Sequence, residues 1–375
     1  MAQQKTVLLG LSGGVDSAVS AILLQQQGYK VIAGFMKNWS DGDDSAECNW
    51  RLERRDAMTI ANQLGIEFHT FDFEKEYRRL VYDYMINEYK SGRTPNPDVL
   101  CNKYLKFDLF LKEADKLNCD FLATGHYAQV HEDQTGTVHL LSALDQTKDQ
   151  TYFLCQLNQD QLKRTLFPIG SLKKTEVRKI AKHHNLSVAT KKDSQGICFI
   201  GKVELKDFLS TKIARHSGNI ITTDGEIIGH HQGFEYYTIG QRSGLGIGGG
   251  IPYYVVERRS ITNEVVVATG ANHPALFQLT LTATDLTETV PGHLIRLANQ
   301  PLRARIRYRQ PLARCSYSLT NQPANLNHSE EVLFASVNPQ TIVSVTFITP
   351  QRAVASGQFI AFYLGEELIG SGVIS

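Results

Sequence analysis

Three short stretches of this 375-residue chain carry residue types that could do chemistry. The first is Gly10-Leu11-Ser12-Gly13-Gly14-Val15-Asp16-Ser17, between an apolar run and a helical pattern. Ser12, Gly13 and Gly14 can turn their backbone N–H groups inward as an anion nest, while Ser17 and the helix N-terminus add donors and positive potential. Pyrophosphate suits such a cradle. No Gly-Lys-Ser/Thr follows and G-x-G-x-x-G is absent, so it is neither a Walker A loop nor a dinucleotide fingerprint. A Gly-rich turn with an Asp helix cap is the plainer alternative.

The second stretch runs from Gly92 to Lys103, where Pro95 and Pro97 bracket Asn96 in a stiff extended loop. A helix starting after Asp98 places Cys101 in its first turn, where the helix dipole and nearby Lys103 both favour thiolate. Cys101 is therefore a candidate nucleophile, or else a half-buried structural cysteine. In the third stretch, Asp193 to Gly201, Gly196 and Gly201 bracket Cys198. A mobile loop there suits a thiol that must meet first a donor and then a substrate; packing beside Ile197, Phe199 and Ile200 is the alternative. Cys48, Cys119, Cys155 and Cys315 lack such settings and read as packing residues.

Two further segments read as contact surfaces. Arg303, Arg305, Arg307 and Arg309 recur every second residue, so on a strand they would share one face as a phosphate-backbone reader, with Ala304, Ile306 and Tyr308 turned inward. A solvated face is the simpler reading. Lys148-Asp149-Gln150 offers charge and hydrogen-bonding groups before an apolar run.

The elements that must position these residues follow a βαβα rhythm over residues 1 to about 125. Thr6–Leu11, Val31–Met36, Ile66–Phe71 and Asp120–Gly125 read as strands. Asp16–Gln27, Asn49–Leu64, Glu74–Tyr89 and Val99–Leu117 read as helices. That rhythm predicts an α/β fold with a parallel sheet covered by helices, its ligand beyond the carboxyl ends of the strands. The Gly10–Ser17 loop, Met36, Gly125 and His126 should then share one rim. A hairpin is expected across Asp133–Thr137 and a basic helix over Lys173–His184. Past Lys212 helical periodicity fades into turn-rich β segments. The division expected is 1–210 for a nucleotide-binding catalytic domain, 211–275 for a small central β-rich domain and 276–375 for a C-terminal β-barrel.

Composition narrows the class without choosing a function. Hydrophobic residues make up 42% and charged residues 21%, as in a globular chain, and the formal charge of +1 leaves any anionic polymer to a local basic patch. No apolar run is long enough to span a bilayer, and six cysteines without a C-x-x-C argue against a secreted disulfide framework and a paired-cysteine zinc site. A cytoplasmic location, with no membrane contact, is expected.

The Ser-Gly-Gly-x-Asp-Ser signature resembles that of the PP-loop ATP pyrophosphatases. Together GLSGGVDS, TPNPDVLCNK, ATGHYA, KDQTYFL, DSQGICFIG and YTIGQRSGLGIG are similar, in order and over nearly the whole chain, to the motifs of the tRNA-specific 2-thiouridylases. The resemblance implies a PP-loop domain followed by a central domain and a tRNA-contacting barrel. It implies ATP at Gly10–Ser17, Met36 and Gly125, accompanied by Mg²⁺, with Cys101 as nucleophile and Cys198 as persulfide carrier. Asn96, Pro97 and Asp98 would face the target uracil, Asp98 also serving as base or orienting group. His126, Lys148, Asp149, Gln150, Arg307, Tyr308 and Gln358 would touch tRNA. Ala355-Ser356-Gly357-Gln358 departs from the family's usual Thr-Pro-Gly-Gln at its first two positions. The implied partners are tRNAs for lysine, glutamate and glutamine, presenting the wobble uridine of the anticodon loop, and a persulfide donor such as a cysteine desulfurase or sulfur-relay protein. Two rival readings remain: a PP-loop amide-forming ligase, which needs no thiol pair, and a non-catalytic RNA-binding protein, which would cleave no ATP.

Overall fold

In the run Thr6–Gly10, Val7, Leu8 and Leu9 are all fully buried, the pattern of a strand covered on both faces rather than of an alternating one. This strand, β1, is central to a wholly parallel sheet in a computed structural model that describes residues 4–40, 50–192, 205–248, 250–320 and 340–375. Its partners are β2 (Lys30–Lys37), β3 (Glu67–Asp72), β4 (Phe121–Ala123) and, after a hairpin of β5 (Ala128–Glu132) and β6 (Val138–Ser142), β7 (Thr165–Leu166). The spatial order is β3-β2-β1-β4-β7. Helices α1 (Val15–Gln26) and α2 (Trp50–Leu64) pack with the helix Lys174–His183 into one apolar core. Helical segments 74–90 and 97–116 build the other core, and both contain wide turns, at Arg78–Tyr82 and Cys101–Leu109.

The remaining strands form two further layers. β8 (Gly218–Thr222), β9 (Ile227–His231), β10 (Tyr253–Arg259) and β11 (Glu264–Thr269) make a four-stranded sheet in the order β10-β11-β8-β9. β12 (Phe277–Glu288), β13 (Leu302–Arg305), β14 (Ala313–Thr320), β15 (Ile342–Arg352), β16 (Phe359–Leu364) and β17 (Glu367–Ile374) form a barrel in the spatial order β12-β15-β14-β13-β16-β17, which β12 closes by pairing with β17. Closure removes both edges of this sheet. The β5–β6 hairpin extends it, because Leu140 and Leu141 of β6 pair with Leu368 and Glu367 of β17. Among the described residues no helix is long and apolar enough to cross a membrane.

The arginine stripe needs correction. β13 ends at Arg305, so the alternation expected over 303–309 stops after its second arginine. Arg303 is exposed, but Arg305 is buried and ion-paired with buried Asp149 at 3.1 Å. Arg307 donates to the carbonyl of Arg352, and Arg309, at φ 62°, lies over the Tyr308 ring. The alternation was broken because the end of the barrel closes onto the 149–151 segment, a contact that no local pattern encodes.

Candidate functional site

The loop after β1 is built around close backbone approach. Gly13 has φ 73°, and a Cβ on it would stand 2.4 Å from the carbonyl oxygen of Glu53 in α2. Both conformation and space therefore demand glycine. Gly14 caps α1 in an extended conformation, and Ser17 Oγ ties the turn by accepting from Ser12 N and donating to Gly14 O, each at 3.2 Å. Gly125, just past β4, rests on the first turn of α1, where a Cβ would meet Ser17 N at 2.7 Å. Met36 on β2 reaches the same rim, its Cε 3.8 Å from where a Cβ on Gly10 would lie. Gly10, the Ser12–Ser17 turn, Met36 and Gly125 are thus gathered at the carboxyl ends of β1, β2 and β4, with the amide donors of a helix start at their centre.

Two lysines that sequence reasoning missed reinforce this loop. Lys174 Nζ binds both carboxylate oxygens of Asp16, at 2.8 and 2.7 Å, and Tyr127 OH donates to the same carboxylate at 2.8 Å. Lys191 Nζ donates to Gly13 O at 3.0 Å and to Asp56 at 2.8 Å. A hint lay in Lys174, which opens a helix where a cation opposes the dipole and so needs a distant partner. Glu53, beside Lys191 and Asp56, has its pKa raised by burial.

The 97–116 segment joins this rim to the buried thiol. Its Phe110 ring lies against the backbone of Gly10 and Gly34, where added Cβ atoms would come within 3.4 and 2.6 Å. At its other end Asn96 is the N-cap, accepting from Val99 N at 3.3 Å, and Pro97 occupies the first turn. Asp98 follows in that turn, where a carboxylate is favoured, and Cys101 is fully buried one helical turn on from Pro97. Lys103 is not turned to support that thiol: it donates to Gln156 at 2.8 Å, and burial lowers its pKa. Cys198 lies outside the described residues, as does Cys48. The other cysteines are buried and inert, burial pushing Cys119 up to about 11 and Cys155 and Cys315 up to about 12.

The residues expected to touch RNA divide between surface and interior. Lys148 is half-buried in a turn, whereas Asp149 is sunk against Arg305 and Gln150 accepts from Tyr127 N at 2.9 Å. His126 is buried between Phe107 and Phe167, bound to Thr124 Oγ1 at 2.7 Å, and burial holds its pKa well below the usual value. Arg307 and Tyr308 are half-buried beside each other, Tyr308 packed on Phe153 with ring centroids 4.5 Å apart. Gln358 faces the Asn96 loop: Asn96 Nδ2 donates to its Oε1 at 3.3 Å, and its Nε2 donates to Thr94 O and Pro95 O at 3.0 and 3.1 Å.

Comparison with known proteins matches this arrangement along its whole length. The tRNA methyl transferase HUP domain model matches residues 5–202, the tRNA methyl transferase PRC-barrel domain model residues 206–269, and the Aminomethyltransferase beta-barrel domain model residues 293–374. The tRNA-specific 2-thiouridylase MnmA of Enterococcus faecalis is 45% identical over 372 residues, covering 98% of this chain and 94% of its own. That of Lacticaseibacillus paracasei is also 45% identical, covering 98% and 93%. That of Christiangramia forsetii is 45% identical over 413 residues, covering 99% of this chain and 100% of its own. Such identity, sustained from the Gly10–Ser17 loop to the last strand of the barrel, means that the chain belongs to the family of tRNA-specific 2-thiouridylases.

Proposed function

We propose that this chain, as a tRNA 2-thiouridylase, uses the Gly10–Ser17 cradle to adenylate a uracil and a thiol pair to replace its O2 with sulfur. The observation that carries the reading is the 97–116 segment, which runs from the Asn96 loop and buried Cys101 to Phe110 against the phosphate rim. Methyl transfer, named in two of the matching domain descriptions, would require no such cradle joined to a thiol. The family membership favours thiolation.

In this reading a wobble uridine, unpaired and so cheap to extrude, enters beside Asn96, Pro97 and Asp98. Its O2 attacks the α-phosphorus of ATP; the new O–P bond replaces the bond to pyrophosphate, whose charge the loop amides and helix start receive. Asp98 orients the uracil and takes its proton. A persulfide on Cys198 then delivers its terminal sulfur to C2 and AMP leaves, while Cys101 thiolate attacks the inner sulfur and forms a Cys101–Cys198 disulfide. An external thiol reduces that disulfide for the next cycle. The Mg²⁺ expected from the sequence would be held chiefly by the nucleotide's phosphates with one or two carboxylates, where it would neutralise charge, and no step is assigned to it. Lys148, Arg307 and Tyr308 remain the proposed RNA contacts, whereas buried His126 and Asp149 and half-buried Gln150 support that surface from beneath. The sulfur donor is a persulfide-bearing protein, and the site of action is the cytoplasm.

Peptide mapping of wild-type protein after one turnover without reductant tests the thiol assignment. The expected product is the Cys101–Cys198 disulfide. A retained activity after Cys101→Ser and Cys198→Ser would instead favour an amide-forming ligase.

A further inference from the structure

Every polar group of Thr94 is held by another part of the molecule. Its N–H donates to Ser356 O at 2.7 Å, its carbonyl accepts from Gln358 at 3.0 Å, and its hydroxyl accepts from Arg258 Nη2 at 2.8 Å. Ser356 and Gln358 precede β16 of the barrel, whereas Arg258 belongs to β10 of the central sheet. The fit on the barrel side is close: Gly357, at φ 87°, brings its backbone so near that a Cβ would stand 3.1 Å from three Thr94 backbone atoms. On the other side, a Cβ on Gly92 would lie 3.3 Å from the Phe234 ring of the central unit.

We propose that Arg258 is a positioning residue for the target-base loop, fixing Thr94 from the central unit while Gln358 fixes it from the barrel, so that Asn96, Pro97 and Asp98 are presented to the uracil in one geometry. This rests on the reading of that loop given above. Arg258 is a poor device for stability alone. Its two bonded nitrogens meet neutral acceptors, Thr94 Oγ1 and Tyr237 O, and its buried Nε has no partner. Burial pulls the guanidinium down to about 10, against the opposing influence of Tyr89 and Glu235. A charge kept at that cost, and aimed at a hydroxyl two residues before Asn96, places the loop. Gln358 likewise acts on RNA through the loop it grips.

Single-turnover thiolation at saturating ATP and tRNA tests this. Thr94→Val keeps the shape of the side chain and removes the acceptor, so it should fold and lose about tenfold in rate, with ATP and tRNA affinities within about twofold of wild type. Arg258→Ala should lose a similar factor, and the double variant no more than either alone. A wild-type rate for Thr94→Val, or additive losses in the double variant, overturns the proposal. Asn96→Ala and Asp98→Ala in the same assay separate the two layers. Wild-type rates for both would overturn the target-base reading and the proposal with it; losses there alongside an unaffected Thr94→Val would overturn Arg258's role alone.

Discussion

Asp16, the one acidic residue of the Gly10–Ser17 loop, turns its carboxylate toward Lys174 and Tyr127 and so braces the proposed phosphate cradle. Lys174 is only 11% exposed in its side chain, and Asp16→Ala would leave its ammonium without that carboxylate beside the nucleotide site. Pyrophosphate release should fall by about a hundredfold while tRNA binding stays within about threefold, because in the proposed mechanism the loop serves the nucleotide and not the RNA. Filter binding and a pyrophosphate assay read the two effects; weakened tRNA binding with normal pyrophosphate release would overturn the assignment. Asp16→Asn, which keeps an acceptor for Tyr127, should lose less. The loop itself was legible because glycine spacing between a strand and a helix has few other uses. Its lysines were not, since Lys174 and Lys191 arrive from more than 150 positions away.

Most of the βα elements of the first 125 residues could be read because they bury a periodic or continuous apolar face, although β3 buries none of its own residues. Arg305 shows where that reading stops. On a strand the alternation turns it outward, yet barrel closure buries it beneath Asp149 and over the Tyr363 ring. Arg305→Ala should therefore cost about 3 kcal/mol in a urea titration, because Asp149 is left in the interior without its cation. A stability change near zero, with weakened tRNA binding instead, would return Arg305 to the surface role its spacing suggested. The hairpin offers a pH test. His139 of β6 stands 3.2 Å from Asp133 and 2.7 Å from Glu367 of β17, and these bonds overcome the opposing effect of burial and raise its pKa. Since the folded state holds this proton more tightly, its contribution is complete below about pH 6.5 and fades as pH climbs through the higher folded value. His139→Gln should accordingly destabilise more at about pH 6 than at about pH 9. Equal costs at the two values would contradict the pairing.

At the scale of the whole molecule, the site is assembled from segments that only the fold brings together. Asn96 and Gln358 are 262 positions apart and share a hydrogen bond, and Tyr152 OH reaches the same Gln358 oxygen at 3.4 Å. The motif series pointed to the chemistry through its family resemblance, whereas residue type and spacing alone left Cys101 and Cys198 open between a reactive and a packing role. How the barrel and central sheet grip the Thr94–Asn96 loop depends on groups with no local signature, such as the Arg258 side chain and the Ser356 carbonyl. The most direct test of the central claim is nucleoside mass spectrometry of tRNA incubated with the protein, ATP and a persulfide source, alongside measurement of AMP and pyrophosphate. Wild-type protein should yield 2-thiouridine at the wobble position with equal amounts of AMP and pyrophosphate, and Cys101→Ser should bind ATP and tRNA yet yield none. Full thiolation by Cys101→Ser, or ATP cleavage by the wild type with no sulfur entering the tRNA, would contradict it.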